Sequence, residues 1–149
     1  MTSFEMVQEF QRKFNCHMDM TNGTDLGTHI LKAVAQTIRR EAGYLHAAAV
    51  TKDGMDNRIM RARLTVEEVA EFLEALADND RVQIAKEAAD VHYTVHGLED
   101  AYGIPADRTF AAVHASNMTK TEVRDSGGKI LKGPDYVAPN IDAILKEAV

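Results

Sequence analysis

Residues 67–90 read EEVAEFLEALADNDRVQIAKEAAD, and this stretch decides the fold expected for the 149-residue chain. On both sides of the DND break, apolar residues recur at intervals of three and four, which predicts two amphipathic helices. The first helix is expected over about residues 58–77 and the second over about residues 81–102. Because the break between them is short, we expect the two helices to be antiparallel neighbours.

Each of these helices carries two acidic residues at a spacing of three. Glu68 and Glu71 precede the break, whereas Glu87 and Asp90 follow it. Residues three apart share one face of a helix, and the two pairs lie at similar distances from the break. Folding the chain back at the break brings four carboxylates to one height, where their mutual repulsion calls for a cation.

Carboxylate oxygens are hard ligands, so they favour a hard cation. Mg²⁺ or Mn²⁺ suits such a site far better than Zn²⁺, and Mg²⁺ in proteins typically also binds substrate phosphates. The four acids therefore predict Mg²⁺-dependent chemistry on a phosphate anhydride, with Mn²⁺ as a substitute. The alternative interpretation is an ordinary solvated face, since glutamate is a good helix former.

The rest of the chain also has a helical pattern. Thr2 and Glu5 form a capping box that opens a first helix. A second helix is expected from Leu26 to near Gly43, and YLHAAAV (44–50) either continues it or forms a short turn, within an extra helical segment of about residues 24–50. The residues whose spacing predicts it are Ile30, Ala33, Val34, Thr37 and Ile38. We expect one domain over residues 1–149, an all-α helical bundle with a short irregular or hairpin C-terminal tail.

Charge and composition limit the partners of the protein. The formal net charge of −6 disfavours binding to nucleic acid, which needs a basic surface. The acidic N-terminal stretch does not resemble a signal peptide, and no apolar run approaches the roughly 18 residues of a membrane span. Cys16 is the only cysteine, so an intramolecular disulfide is impossible. We expect a cytoplasmic protein that binds neither nucleic acid nor a membrane.

Two blocks of sequence resemble a known superfamily. EEVAE (67–71) followed by KEAAD (86–90) resembles the ExxE…ExxD signature of the all-α nucleoside triphosphate pyrophosphohydrolases. That superfamily includes MazG, the dimeric dUTPases and phosphoribosyl-ATP pyrophosphohydrolase. GIPADRTFAAVHASNMTK (103–120) and GGKILKGPDYVAP (127–139) resemble a MazG-like subgroup of bacteria and their phages, in which VHxSNMxK is followed by GKxxKGPxY. The resemblance covers residues 58–139.

The resemblance implies an enzyme that hydrolyses a (deoxy)nucleoside triphosphate to the monophosphate and pyrophosphate, for nucleotide pool cleansing or balancing. It also implies a homodimer or homotetramer. The positions implied to bind Mg²⁺ and act in catalysis are Glu68, Glu71, Glu87 and Asp90. Glu67 matches a further catalytic glutamate, which binds another ion or helps to activate the water. The positions implied to bind the nucleotide are Asn117, Lys120, Lys132 and Tyr136.

Other charged residues have weaker signals. Arg39 and Arg40 are expected to be solvated helix charges, whereas Arg61 or Arg63 could reach phosphate from a neighbouring subunit. His92 and His96 have a spacing that can bind zinc on a helix, but the glutamate of HExxH is missing between them. These histidines fit a polar contact at a helix interface, or a role facing the base, better than a zinc site.

Two other functions stay open. A carboxylate-bridged di-iron or di-manganese bundle also has four inward acids, but neither acidic pair is followed by histidine at the Glu-x-x-His spacing. A non-catalytic nucleotide-binding protein on the same fold is the other alternative. It is motivated by Gln11, His92 and His96, which stand where members of the superfamily usually have other residues.

Overall fold

The computed structural model describes residues 1–16, 20, 23–51 and 54–148. These residues form six helices and one two-stranded antiparallel hairpin, so the expected all-α fold is confirmed. The helices are α1 (Ser3–Lys13), α2 (Asp25–Ala49), α3 (Asn57–Asp78), α4 (Arg81–Ala101), α5 (Ala106–Asn117) and α6 (Ile141–Glu147). The strands of the hairpin, β1 (Val50–Thr51) and β2 (Gly54–Met55), lie between α2 and α3.

The chain forms two compact units. One is Met20–Leu98, which holds α2, the hairpin, α3 and most of α4. The other joins Met1–Asp19 to Glu99–Val149 and holds α1, α5, α6 and the C-terminal tail. Among the described residues, no helix combines the length and the apolar character that crossing a membrane requires.

Small side chains let α2 and α3 pack closely within the unit Met20–Leu98. The buried residues of α2 are alanines at intervals of seven, Ala35, Ala42 and Ala49. Half-buried aliphatic residues alternate with them along the helix, each preceding one alanine, at Leu31, Ile38 and Leu45. This alternation of fours and threes is the spacing of a heptad seam. The buried residues of α3 are also alanines, Ala70, Ala75 and Ala77, so the two helices approach through short side chains.

The observed α2 has the longer of the two extents that the sequence left open. It does not end near Gly43 but continues to Ala49. The alanine seam continues on both sides of that glycine, and its packing outweighs the weak helix propensity of one residue. The predicted apolar residues Ile30 and Val34 are 53% and 43% exposed. The helix therefore has a second apolar stripe, on a different face from its buried seam.

Polar contacts on one flank of α2 set its direction against α3. The pairs are Lys32 with Asp78 at 2.7 Å, Arg39 with Glu74 at 2.7 Å, and His46 with Arg63 at 3.2 Å. As the residue number rises along α2, that of the partner on α3 falls, which requires antiparallel helices. Each exposed pair contributes little stability by itself, but together they select one register.

The DND break reverses the chain between α3 and α4. Asn79 adopts a left-handed conformation with φ 52°, and its N–H bonds to the carbonyls of Ala75 and Leu76, which ends α3. The Asp80 carboxylate then accepts hydrogen bonds from the backbone of Val82 and Gln83 at 2.9 and 3.1 Å. These bonds satisfy free N–H groups at the start of α4.

In the other unit, α1 packs on α5. The predicted capping box is present, because Thr2 N donates to Glu5 Oε2 at 2.7 Å and Glu5 N donates to Thr2 Oγ1 at 3.2 Å. The hydrogen bond from the Thr2 backbone lowers the pKa of Glu5. Phe14, which follows the last residue of α1, is only 4% exposed. Between α1 and α5, Glu9 Oε2 lies 2.9 Å from Nε2 of His114.

Candidate functional site

Three carboxylates of α3 and α4 lie close together. Glu68, Glu71 and Glu87 each offer an oxygen, and these oxygens lie within 4.8 Å of one another. Across the part of the chain that the structure describes, this is the one such group of three or more His, Cys, Asp or Glu side chains. The helices run antiparallel here, since Arg61 lies against Gly97 while Glu71 lies near Glu87.

Glu87 is the buried member of this acidic cluster. The residue is 6% exposed, and its Oε1 accepts a 2.9 Å hydrogen bond from Lys86 Nζ. Its Oε2 is buried and has no hydrogen-bond partner among the described residues. Leaving a buried polar atom unpaired costs on the order of 1–3 kcal/mol, and more when the group is charged. A bound cation would satisfy this oxygen, and a donor set of carboxylate oxygens fits a hard divalent ion.

Asp90 joins the cluster through Lys86. The Lys86 ammonium lies 2.8 Å from Asp90 Oδ2, and its hydrogen bonds to Asp90 and Glu87 raise the pKa of Lys86, which keeps it charged. Burial raises the pKa of Glu68, and the charges of Glu71, Asp90 and Glu87 raise it further. All four predicted acids therefore interact electrostatically, although the oxygens of only three converge within 4.8 Å.

Glu67 has a different partner. Its Oε1 accepts a 3.1 Å hydrogen bond from Arg63 Nη1, and the same nitrogen lies 3.2 Å from Nδ1 of His46. Glu67 is not among the three residues whose oxygens converge. The contacts from Glu67 through Arg63 to His46 instead connect α3 with α2.

Arg39, which the sequence suggested to be a solvated charge, contacts the acids of α3. Its Nε and Nη2 donate to the Glu74 carboxylate at 3.2 and 2.7 Å, and its Nη1 lies 3.7 Å from Glu71 Oε1. The hydrogen bond to Glu74 raises the pKa of Arg39, and the charges of both glutamates add to this. The heptad of buried alanines is the signal that could have placed Arg39 on the flank of α2 that meets α3.

A cavity of about 250 Å³ lies beside Arg39 and the acidic cluster. Its lining includes Arg39, Glu71, Glu74 and Glu87. The cavity therefore has two of the three converging carboxylates and a guanidinium in its walls.

Three of the four predicted nucleotide-binding residues have contacts around Tyr136, in the unit that holds α1 and α5. Lys132 Nζ lies 4.5 Å from the centre of the Tyr136 ring, and Lys120 Nζ lies 5.9 Å from that of Phe10. The Ser116 hydroxyl lies 3.1 Å from that of Tyr136. This hydrogen bond, followed by the positive charges of Lys132 and Lys120, lowers the pKa of Tyr136.

The C-terminal tail is attached to the end of α5. Ser116 Oγ donates to the carbonyl of Val137 at 2.6 Å. A Cβ atom at Gly133 would lie 1.9 Å from Thr121 Cγ2, so this close approach of the tail requires glycine. The blocks SNMTK (116–120) and KGPDY (132–136) are thus brought together. Asn117, the last residue of α5, belongs to the first block.

An all-α chain with ExxE and ExxD carboxylates converging from consecutive helices has the architecture expected for the all-α pyrophosphohydrolases. A model of the phosphoribosyl-ATP pyrophosphohydrolase family matches residues 31–117, more than half of the chain, so the chain belongs to that family. The resemblance seen in the motifs is therefore confirmed at the level of the superfamily. Comparison with curated proteins and comparison with solved structures give no match.

Membership of this family implies pyrophosphohydrolase activity on a nucleotide. The matched span contains all the acids of the cluster and ends at position 117. It leaves out Lys120, Lys132 and Tyr136, whose assignment depends on the motif resemblance alone.

Replacing Glu87 with glutamine should remove the response of the protein to divalent cations. The melting temperature of the wild type should rise with Mg²⁺ or Mn²⁺, because a ligand that binds only the folded state stabilises it. In Glu87→Gln the rise should be absent or much smaller. Its melting temperature in EDTA should not fall, since the repulsion among the carboxylates is relieved. Thermal unfolding in EDTA and in each metal measures both effects.

Glu41→Gln is the matched control. Glu41 is an exposed carboxylate of α2 that pairs with Arg40 at 3.5 Å, away from the cluster. This variant should keep the full metal response. A full response in Glu87→Gln as well would show that the ion binds elsewhere.

Proposed function

We propose that the chain is a Mg²⁺-dependent enzyme that hydrolyses a (deoxy)nucleoside triphosphate to the monophosphate and pyrophosphate. The observation that carries this proposal is the buried, unpartnered Oε2 of Glu87 beside the oxygens of Glu68 and Glu71. Mn²⁺ is expected to substitute for Mg²⁺, since both are hard cations that accept oxygen ligands. Cleansing or balancing of the nucleotide pool is the proposed role.

The proposed metal ligands are Glu68, Glu71, Glu87 and Asp90. A bound cation would neutralise phosphate charge and would lower the pKa of the attacking water. Lys86 contributes a fixed charge between Asp90 and Glu87, which limits the repulsion inside the cluster. Glu67, held by Arg63, is proposed to act at the edge of the site by helping to activate the water.

Asn117, Lys120, Lys132 and Tyr136 are proposed to bind the nucleotide. A lysine offers a compact positive charge to phosphate, and an aromatic ring offers a face for stacking on a base. Lys132 Nζ lies over one face of the Tyr136 ring, so a charge and an aromatic ring are adjacent, and the opposite face of the ring is the one proposed to stack on a base. The pKa of Tyr136 is lowered mainly by the hydrogen bond with Ser116, and the charges of Lys132 and Lys120, which lower it further, also suit an anionic ligand.

A second candidate substrate is phosphoribosyl-ATP. The match of residues 31–117 to the phosphoribosyl-ATP pyrophosphohydrolase family favours it. The SNMTK and KGPDY blocks favour an ordinary nucleoside triphosphate, because they resemble the MazG-like subgroup and extend beyond that match. Both substrates lose pyrophosphate in the same type of reaction.

The purified protein with Mg²⁺ should release pyrophosphate from at least one ribo- or deoxynucleoside triphosphate in a panel that includes phosphoribosyl-ATP. Glu71→Gln and Asp90→Asn should each slow the reaction by about 100-fold or more, since a catalytic metal is worth several kcal/mol. A coupled assay for pyrophosphate measures the rates, with Glu41→Gln as the control that keeps full activity.

Each outcome of the nucleotide panel supports or contradicts one of the candidate functions. Release from phosphoribosyl-ATP alone would favour the second candidate. Wild-type rates in both variants would contradict the assigned site. Two equivalents of iron in the purified protein would favour the di-metal alternative, whereas nucleotide binding without turnover in any divalent metal would favour a binding protein.

We also propose that the protein is a homo-oligomer in which the second apolar stripe of α2 forms an interface between copies. Leu26, Ile30 and Val34 are 69%, 53% and 43% exposed. Ile30 and Val34 line a shallow apolar depression together with Ala33, Thr37 and Ile38. No large side chain in the described residues is fully buried. Covering this stripe with a second copy would supply the apolar burial that the single chain lacks.

The double variant Ile30→Glu/Val34→Glu should dissociate the oligomer, because two charges cannot be buried in an apolar interface without partners. Sedimentation velocity should show the wild type as a dimer or tetramer and the variant as a monomer that keeps its helical circular dichroism. Gln36→Glu is the control, since Gln36 is an exposed α2 residue outside the stripe. A monomeric wild type, or a variant that associates normally, would contradict this interface.

A further inference from the structure

We infer that Arg39 is a phosphate-binding residue that contacts the phosphate chain of the substrate in the cavity beside the acidic cluster. This inference rests on the proposed function and adds to it a residue that lies outside every sequence motif used to assign the site. Arg39 belongs to α2, whereas the ExxE and ExxD acids belong to α3 and α4. The packing of α2 on α3 carries its guanidinium to the acids.

The charged residues that line this cavity divide it into a part suited to a cation and a part suited to an anion. Five carboxylates are among the lining residues, at Glu71, Glu74, Asp78, Asp80 and Glu87. Three of them lie outside the group of converging oxygens and are paired within the protein. Glu74 pairs with Arg39, Asp78 pairs with Lys32, and Asp80 accepts backbone hydrogen bonds at the start of α4.

We assign the carboxylates of Glu71 and Glu87 to a cation, because their oxygens converge and Glu87 Oε2 has no hydrogen-bond partner among the described residues. Lys86 donates only to the other oxygen of Glu87, and Arg39 lies 3.7 Å from Glu71. Among the described residues that line the cavity, Arg39 is the only positively charged one. An anion entering this acidic cavity would be attracted by the positive charges of a bound metal and of Arg39. A metal-bound phosphate chain is such an anion.

The hydrogen bonds of Arg39 leave one side of its guanidinium available. Nε and Nη2 are used by Glu74, in a two-point pairing at 3.2 and 2.7 Å. Nη1 lies 3.7 Å from Glu71 Oε1, which is beyond hydrogen-bonding distance. With Glu71 bound to a cation, the N–H groups of Nη1 would be free to donate to an anionic ligand. Glu74 is then a positioning residue that holds the guanidinium in place.

The size of this cavity and the donor geometry of the Arg39 guanidinium fit a phosphate group. The cavity of about 250 Å³ exceeds the ~30 Å³ share of one water, so it has room for more than an ion and its water. A guanidinium offers a planar set of N–H donors that matches the oxygens of a phosphate group. The inferred arrangement places phosphate oxygens between the metal carboxylates and Nη1 of Arg39.

Binding of inorganic pyrophosphate in the presence of Mg²⁺, measured by calorimetry, tests this inference without requiring turnover. Arg39→Ala should weaken pyrophosphate binding by about tenfold or more, the usual worth of a hydrogen bond to a charged group. Arg39→Lys should fall between the wild type and Arg39→Ala. The matched control is Arg40→Ala, which removes a neighbouring exposed arginine of α2 that pairs with Glu41 and should leave the affinity unchanged.

Two further measurements separate a direct contact from an indirect effect. Mn²⁺ binding without pyrophosphate should be as tight in Arg39→Ala as in the wild type, or tighter, because a positive charge near the ligands is removed. The double variant Arg39→Ala/Glu74→Gln should stay weak for pyrophosphate. If it regained wild-type affinity, the loss would come from the unpaired charge of Glu74, and the inference would be overturned.

Other outcomes would also overturn the inference. These are an unchanged pyrophosphate affinity in Arg39→Ala, a parallel loss of Mn²⁺ binding, or a wild type that binds no pyrophosphate with Mg²⁺. A wild type that binds pyrophosphate through Arg39 but hydrolyses no nucleotide would instead contradict the proposed function alone. The two claims can therefore fail separately.

Discussion

The repulsion among the carboxylates of α3 and α4 is the constraint on which the rest of the structure depends. Glu68, Glu71 and Glu87 have oxygens within 4.8 Å of one another, and one oxygen of Glu87 is buried without a hydrogen-bond partner in the part of the chain that the structure describes. Lys86 neutralises part of this charge from outside. The raised pKa of Glu68 reflects burial and the remaining acids. The cluster therefore costs stability locally, and under the proposed function a divalent cation would restore it.

The fold keeps this cluster assembled despite its repulsion. The alanine seam holds α2 against α3 through short side chains, and the ion pairs on its flank choose the register. That register places Arg39 beside Glu71 and Glu74. A shift of one heptad along the seam would keep the alanines in contact but would take the guanidinium away from the cavity. The polar contacts therefore set the position of the Arg39 guanidinium and contribute little stability.

The acidic pairs could be predicted from the sequence because their geometry is local. Spacings of three residues and a short break place Glu68, Glu71, Glu87 and Asp90 together without knowledge of any other contact. The position of Arg39 depends instead on a long-range helix pairing. The sequence signal for that pairing is a set of alanines. Large apolar residues of the same helix, such as Ile30, obscure this signal because they suggest a different buried face. The approach of Lys132 to the end of α5 likewise depends on a tertiary contact, between Gly133 and Thr121.

Anomalous diffraction from crystals grown with Mn²⁺ tests the central claim most directly, because it locates the ion itself. The account predicts a strong anomalous peak at about 2.1 Å from oxygens of Glu68, Glu71 and Glu87. The buried Oε2 of Glu87 should be among the ligands. Ordered Mn²⁺ bound only elsewhere, with Glu87 Oε2 satisfied by a protein donor, would contradict the account.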